Sequence, residues 1–136
     1  MSVGSWTPES SDASDSYQLS EHTLKLFIEL SRQNELENLQ TRLSKEQIEK
    51  ECQAMKLTMS DWQSLTHLLD DDELYQLIRF FTRSEMLLPG WEAGAESPVV
   101  WLAKILRQRK SPLKKEQLQW IKSHSTNRFI PNGALI

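Results

Sequence analysis

Apolar residues recur at three- and four-residue spacing along most of this chain, and no stretch alternates with period two over a useful length. That spacing stacks side chains on one face of a helix and predicts an all-α protein. Leu24, Phe27 and Ile28 share a first face. Leu36, Leu39 and Leu43 continue it beyond Gln33–Asn34, a stretch that breaks or bends the helix. Ile48, Cys52 and Met55 make the next face, and Trp62, Leu65 and Leu69 a short one. Leu74, Leu77, Ile78 and Phe81 form a stronger stripe that runs out before Pro89–Gly90. Val99, Leu102, Ile105 and Leu106 follow Pro98, and Leu113, Leu118 and Ile121 carry the last helix.

Cap signals punctuate these stripes. Ser20 precedes the first. Ser44 stands three before Gln47, Ser60 three before Gln63, and Asp70 three before Glu73. Each pair can satisfy the first free amides of a helix reciprocally. Ser97–Pro98 and Ser111–Pro112 add two starts, with Ser as cap and Pro at the first helical position, where its missing N–H costs nothing. The reading is one domain over residues 18–136, a bundle of about six helices. Residues 1–17 are rich in Ser and Asp and lack apolar periodicity, so they are expected to form a disordered arm with Trp6 floating in it. Two irregular segments remain. Pro89–Ser97 is a connector whose Trp91 plugs the core. In 125–136, Pro131–Asn132–Gly133 signals a turn, and the apolar end is expected to pack back onto the body or onto another chain.

At 136 residues the chain is long enough to bury a core without staples. It has no apolar run of membrane-spanning length and no secretory leader, and its one cysteine, Cys52, excludes an internal disulfide; the expectation is a cytoplasmic protein with no membrane contact. Catalytic and metal chemistry find little support. His22, His67, His124 and Cys52 are spread over separate helices without ligand spacing, so no metal and no cofactor are expected. Asp70–Asp71–Asp72 lacks the alternating oxygens and closing Glu of a calcium loop and fits a helix start. Cys52 sits on an apolar face, where burial makes a thiol inert. His67 and Asp71 stand four apart and are positioned for a surface pair.

The distribution of charge changes this picture most. From Trp101 onward the chain carries Lys104, Arg107, Arg109, Lys110, Lys114, Lys115, Lys122 and Arg128 against Glu116 alone. The net charge of −3 thus hides an acidic body of −10 and a basic end of +7. A one-signed surface attracts an opposite-signed partner or the rest of its own molecule. Aromatic residues and Arg concentrate binding energy in interfaces. The expected function is therefore a non-enzymatic interaction or regulatory module, self-associating or binding an acidic protein surface. Its expected contacts are Trp91, Trp101, Arg107, Arg109, Lys110, Lys114, Lys115, Trp120 and Arg128. The alternative is a nucleic-acid-binding regulator using residues 104–122, two helices with cations at their joint. The proline in the turn and the acidic body weigh against it. Arg128, between Asn127 and Phe129, is read as a tie that anchors the tail.

Overall fold

The computed structural model describes residues 17–133. Among them are seven α-helices and no strand, as the period of the apolar positions requires. They are α1 (Glu21–Arg32), α2 (Leu39–Arg42), α3 (Lys45–Glu51), α4 (Met59–Thr66), α5 (Asp71–Leu87), α6 (Pro98–Gln108) and α7 (Lys115–Ser123). Short 3-10 turns cover Leu36–Asn38, Cys52–Lys56 and Gly94–Glu96. The expected disordered arm with its floating Trp6, up to residue 16, and the expected packing of the last apolar residues fall outside the described residues.

Local chemistry sets most of the boundaries. Ser20 caps α1 by accepting from the Thr23 amide, and Ser44 with Gln47 and Asp70 with Glu73 close reciprocal capping boxes. Two expected starts move. Thr58, not Ser60, caps α4, with Asp61 accepting from the Thr58 amide in return. α7 begins at Lys115 rather than at Pro112, and the Gln117 side-chain oxygen accepts from the Lys114 amide at 2.7 Å. Ser111 is unavailable as a cap. Its amide donates to Leu106 O at 2.9 Å to finish α6.

α1 and α6 end alike. Asn34 (φ 58°) and Lys110 (φ 63°) adopt the left-handed conformation one residue past the cap. Behind each, the next amide reaches back five residues: Glu35 to Leu30 O and Ser111 to Leu106 O, both at 2.9 Å. This doubly hydrogen-bonded ending satisfies the last carbonyls of the helix and breaks it outright, which decides the Gln33–Asn34 question in favour of a break.

α5 is the central element, packed against α1 and α6. Its burial extends beyond the stripe Leu74, Leu77, Ile78 and Phe81 to Phe80, Thr82, Ser84 and Glu85, because neighbours cover it on more than one side. Thr82 and Ser84 meet that burial by donating to the carbonyls of Ile78 and Phe81 within their own helix. Phe27 of α1 stacks on Phe80 at 4.0 Å between centroids, and Trp62 of α4 meets Phe81 edge-on at 5.4 Å. α6 runs antiparallel to α5, since Ser97 reaches Glu85 and Arg109 reaches Asp71. α7 runs parallel to it, with Gln117 beside Asp71 and Tyr75 at one end and His124 beside Arg83 at the other.

Candidate functional site: the α6–α7 joint

The basic end of the chain comprises α6, the link Arg109–Lys114, α7 and the tail. Its cations divide into those the fold uses and those it leaves in solvent. Arg109 is used. Its guanidinium donates to Leu69 O (2.8 Å) and Thr66 O (2.9 Å), the carbonyls at the end of α4, and pairs with Asp71 at 3.2 Å. It ties α6 to the α4–α5 corner, and its expected role as a partner contact is corrected to an internal clamp. Asp71 is held below the usual carboxylate range, first by the Ser111 hydroxyl and then by Arg109. His67, expected to pair with Asp71, instead turns Nδ1 to Ser64 O at 3.0 Å.

Among the described residues, Lys104, Arg107, Lys110, Lys114, Lys115, Lys122 and Arg128 form no ion pair. All seven are exposed. Lys25, Arg32, Arg42 and Arg83, the paired cations outside this end, sit on Glu73, Asp72, Glu35 and Glu37. Lys45, Lys50, Lys56 and Arg79 of the body also form no ion pair among the described residues, so the fold pairs half of the body's cations and only Arg109 of those at the basic end.

Five of the open cations follow one another along the chain across the joint. Lys104 and Arg107 lie on the outer face of α6, Lys110 closes that helix, and Lys114 and Lys115 open α7. Trp101 stands one turn before Lys104 on the same face, half-buried, with the Lys104 ammonium 5.8 Å from its ring. Its Nε1–H is enclosed without a hydrogen-bond partner. An unsatisfied buried donor of that kind carries a desolvation cost.

Three other expected contacts lie apart from this group. Trp91 is fully buried, its ring edge-on to Phe27 and Phe80 and its Nε1–H donating to Ile48 O at 3.0 Å. Its expected core role stands, and its role as a partner contact is removed. Trp120 faces inward on α5, under the Arg79 guanidinium (5.1 Å) and stacked on His124 (4.2 Å). Arg128 rests over its own Phe129, in the tail beside the C-terminal end of α5. That is about 20 Å from the joint at the helical rise of 1.5 Å per residue.

The tail is anchored by Asn127 rather than by the expected Arg128. Its amide donates to Glu85 Oε1 (2.9 Å) and to Gly94 O (3.0 Å), while its oxygen accepts from the Phe129 amide. The other Glu85 oxygen takes the Ser97 hydroxyl, and Ser97 also caps α6 through the Val99 amide. Burial pushes the Glu85 carboxyl up, and the Ser97 and Asn127 donors pull it back. This three-residue network joins α5, α6 and the tail. Sequence spacing did not reveal it, because its members lie 12 and 42 residues from Glu85. The one available signal was an acid set within an apolar helix.

A cavity of about 370 Å³ opens beside the joint, lined by Asp71, Asp72, Tyr75, Leu106, Pro112 and Lys114. Burial raises the Tyr75 pKa, so its hydroxyl stays protonated. Asp72 is held low chiefly by Arg32. Ser111 and Gln117 complete the lining, so the cavity offers hydroxyl, amide and carboxylate groups for hydrogen bonding and charge. Cys52 is half-buried at the edge of the core, its thiol on Glu49 O at 3.2 Å. Among the described residues no three His, Cys, Asp or Glu side chains gather as metal ligands, and no helix is long and apolar enough to cross a membrane. The chain matches no family model, no characterised protein and no solved structure.

Proposed function

We infer that this chain is a non-enzymatic, cytoplasmic interaction module that captures an acidic protein segment on the outer face of α6 and the α6–α7 joint. One observation carries the reading: Lys104, Arg107, Lys110, Lys114 and Lys115 are exposed and unpaired among the described residues, in a stretch of sequence whose only acid is Glu116. Exposed cations that contribute nothing to the fold are free to steer and hold an opposite charge. Half-buried Trp101 beside Lys104 adds aromatic surface.

The test is a fluorescent poly-glutamate peptide titrated into the full chain and into a Lys104→Glu, Arg107→Glu, Lys114→Glu variant. At least tenfold weaker binding is expected with an unchanged thermal midpoint, since none of the three side chains holds the fold. Absence of peptide binding at low salt sinks the reading. Tighter binding of duplex DNA than of peptide, with a steep salt dependence, replaces it with the nucleic-acid alternative.

A further inference from the structure

We propose that the cavity beside the α6–α7 joint binds a small zwitterion of the amino-acid class, its ammonium held by Asp71 and Asp72 and its carboxylate by Lys114. This site is separate from the exposed cations that carry the acidic-partner reading and shares only Lys114 with them.

Three helices and the link between two of them wall the cavity. The first turns of α5 contribute Asp71, Asp72 and Tyr75, which share one side of that helix at spacings of three and four. Leu106, buried near the end of α6, and Pro112 of the link supply apolar surface. Lys114 and Gln117 line the space from the start of α7. These walls are held in place before any ligand arrives. Arg109 clamps α6 to the α4–α5 corner, and the Ser111 amide locks the link onto Leu106 O. A volume of about 370 Å³ falls within the range of small-ligand pockets. At about 30 Å³ per water in the liquid, it takes roughly a dozen water-sized groups, enough for an aliphatic amino acid.

Charge selects the ligand. Both signs line this one space, yet Lys114 forms no ion pair with Asp71 or Asp72. A molecule carrying the complementary pair of charges joins them. The carboxylates have acceptor positions to spare, since each offers about four. Arg109 takes one on Asp71, and Arg32 and Gln76 take two on Asp72. Two neutral donors stand with Lys114. The Gln117 oxygen is committed to the Lys114 amide, which leaves its amide nitrogen to donate, and the protonated Tyr75 hydroxyl has no side-chain partner. A simple anion entering the cavity meets two carboxylates, and a simple cation meets Lys114, so the lining disfavours either half alone. Leu106 and Pro112 receive the aliphatic side chain.

The experiment titrates L-leucine, 3-methylbutylamine and 4-methylpentanoate into the full chain and follows the amide resonances of Tyr75, Lys114 and Gln117. The amine is leucine without its carboxylate, and the acid is leucine without its ammonium. Leucine is expected to bind at least about tenfold more tightly than either, because each half loses a charge-assisted contact. Asp72→Asn is expected to weaken leucine by about tenfold and to leave 4-methylpentanoate unchanged. Lys114→Gln is expected to weaken leucine by a similar factor and to leave the amine unchanged. Both side chains are exposed, and an unchanged thermal midpoint shows that each variant keeps the fold. Amine as tight as leucine overturns the proposal in favour of a cation site, and acid as tight as leucine overturns it in favour of an anion site. Absence of shifts at Tyr75 and Gln117 with all three removes the site and leaves poly-glutamate capture by the outer face of α6 untouched.

Discussion

Replacing Arg109 by alanine distinguishes a cation that holds the fold from one that waits for a partner. Arg109 keeps about a quarter of its side chain exposed (26%) and makes two bonds to carbonyls at the end of α4 in addition to its Asp71 pair. The Asp71 side chain is half exposed, so that pair contributes about 0–1 kcal/mol. The two carbonyl bonds are charge-assisted and lie at a helix end where a cation is favoured. Each is worth about 1 kcal/mol or somewhat more, and alanine leaves both carbonyls short of a partner. The expected loss is about 2–3 kcal/mol. Arg107, two residues earlier and exposed, has no ion pair among the described residues, and Arg107→Ala is expected to change stability by less than about 0.5 kcal/mol. Urea unfolding at equilibrium reads both, with equal slopes guarding against a change in the unfolded state. Arg109→Lys keeps the charge but not the fork and is expected to recover less than half of the loss. If Arg109→Ala and Arg107→Ala come out within about 0.5 kcal/mol of each other, the clamp is not holding the α4–α5 corner and the division of the cations fails.

Glu85 sets a pH dependence. Its carboxyl is raised above the ordinary 4.5 by burial, so its protonated form favours the folded state. Its contribution is whole below pH 4.5 and is lost as pH rises through the raised value. Glu85→Gln is neutral throughout, so its stability relative to the parent is expected to climb from about pH 4 toward neutrality, and a flat difference in urea unfolding over that range refutes the assignment. Lys110 holds φ 63° without the freedom of glycine. Lys110→Gly is expected to stabilise the chain by about 0.5–1 kcal/mol, measured as a higher urea midpoint, and a loss of stability argues against the left-handed ending of α6.

The helical class, the faces of the helices and most of their starts were legible along the chain because they depend on neighbours a few residues apart. A face repeats every three or four residues, and a capping box closes within three, as at Ser44–Gln47 and Asp70–Glu73. The same locality explains the errors. Ser60 and Ser111 both had the composition of a cap. Thr58 with Asp61 formed the better box in one case, and in the other the Ser111 amide closes the end of α6 on Leu106 O, leaving α7 to start at Lys115.

Positive charge gathering near one end, with acid over the rest, is plain along the chain. Which of those cations stay free depends on how the helices pack. Arg109 and Arg107 look alike in sequence, but the turn at Lys110 aims one at carbonyls some forty residues away and leaves the other in water. Trp91 and Trp101 are separated in the same way, one sealed against Phe27 and Phe80 and the other left half-covered. Such long-range pairings arise when helices pack, because packing fixes which distant groups share a desolvated space, and a one-dimensional pattern carries no record of those distances.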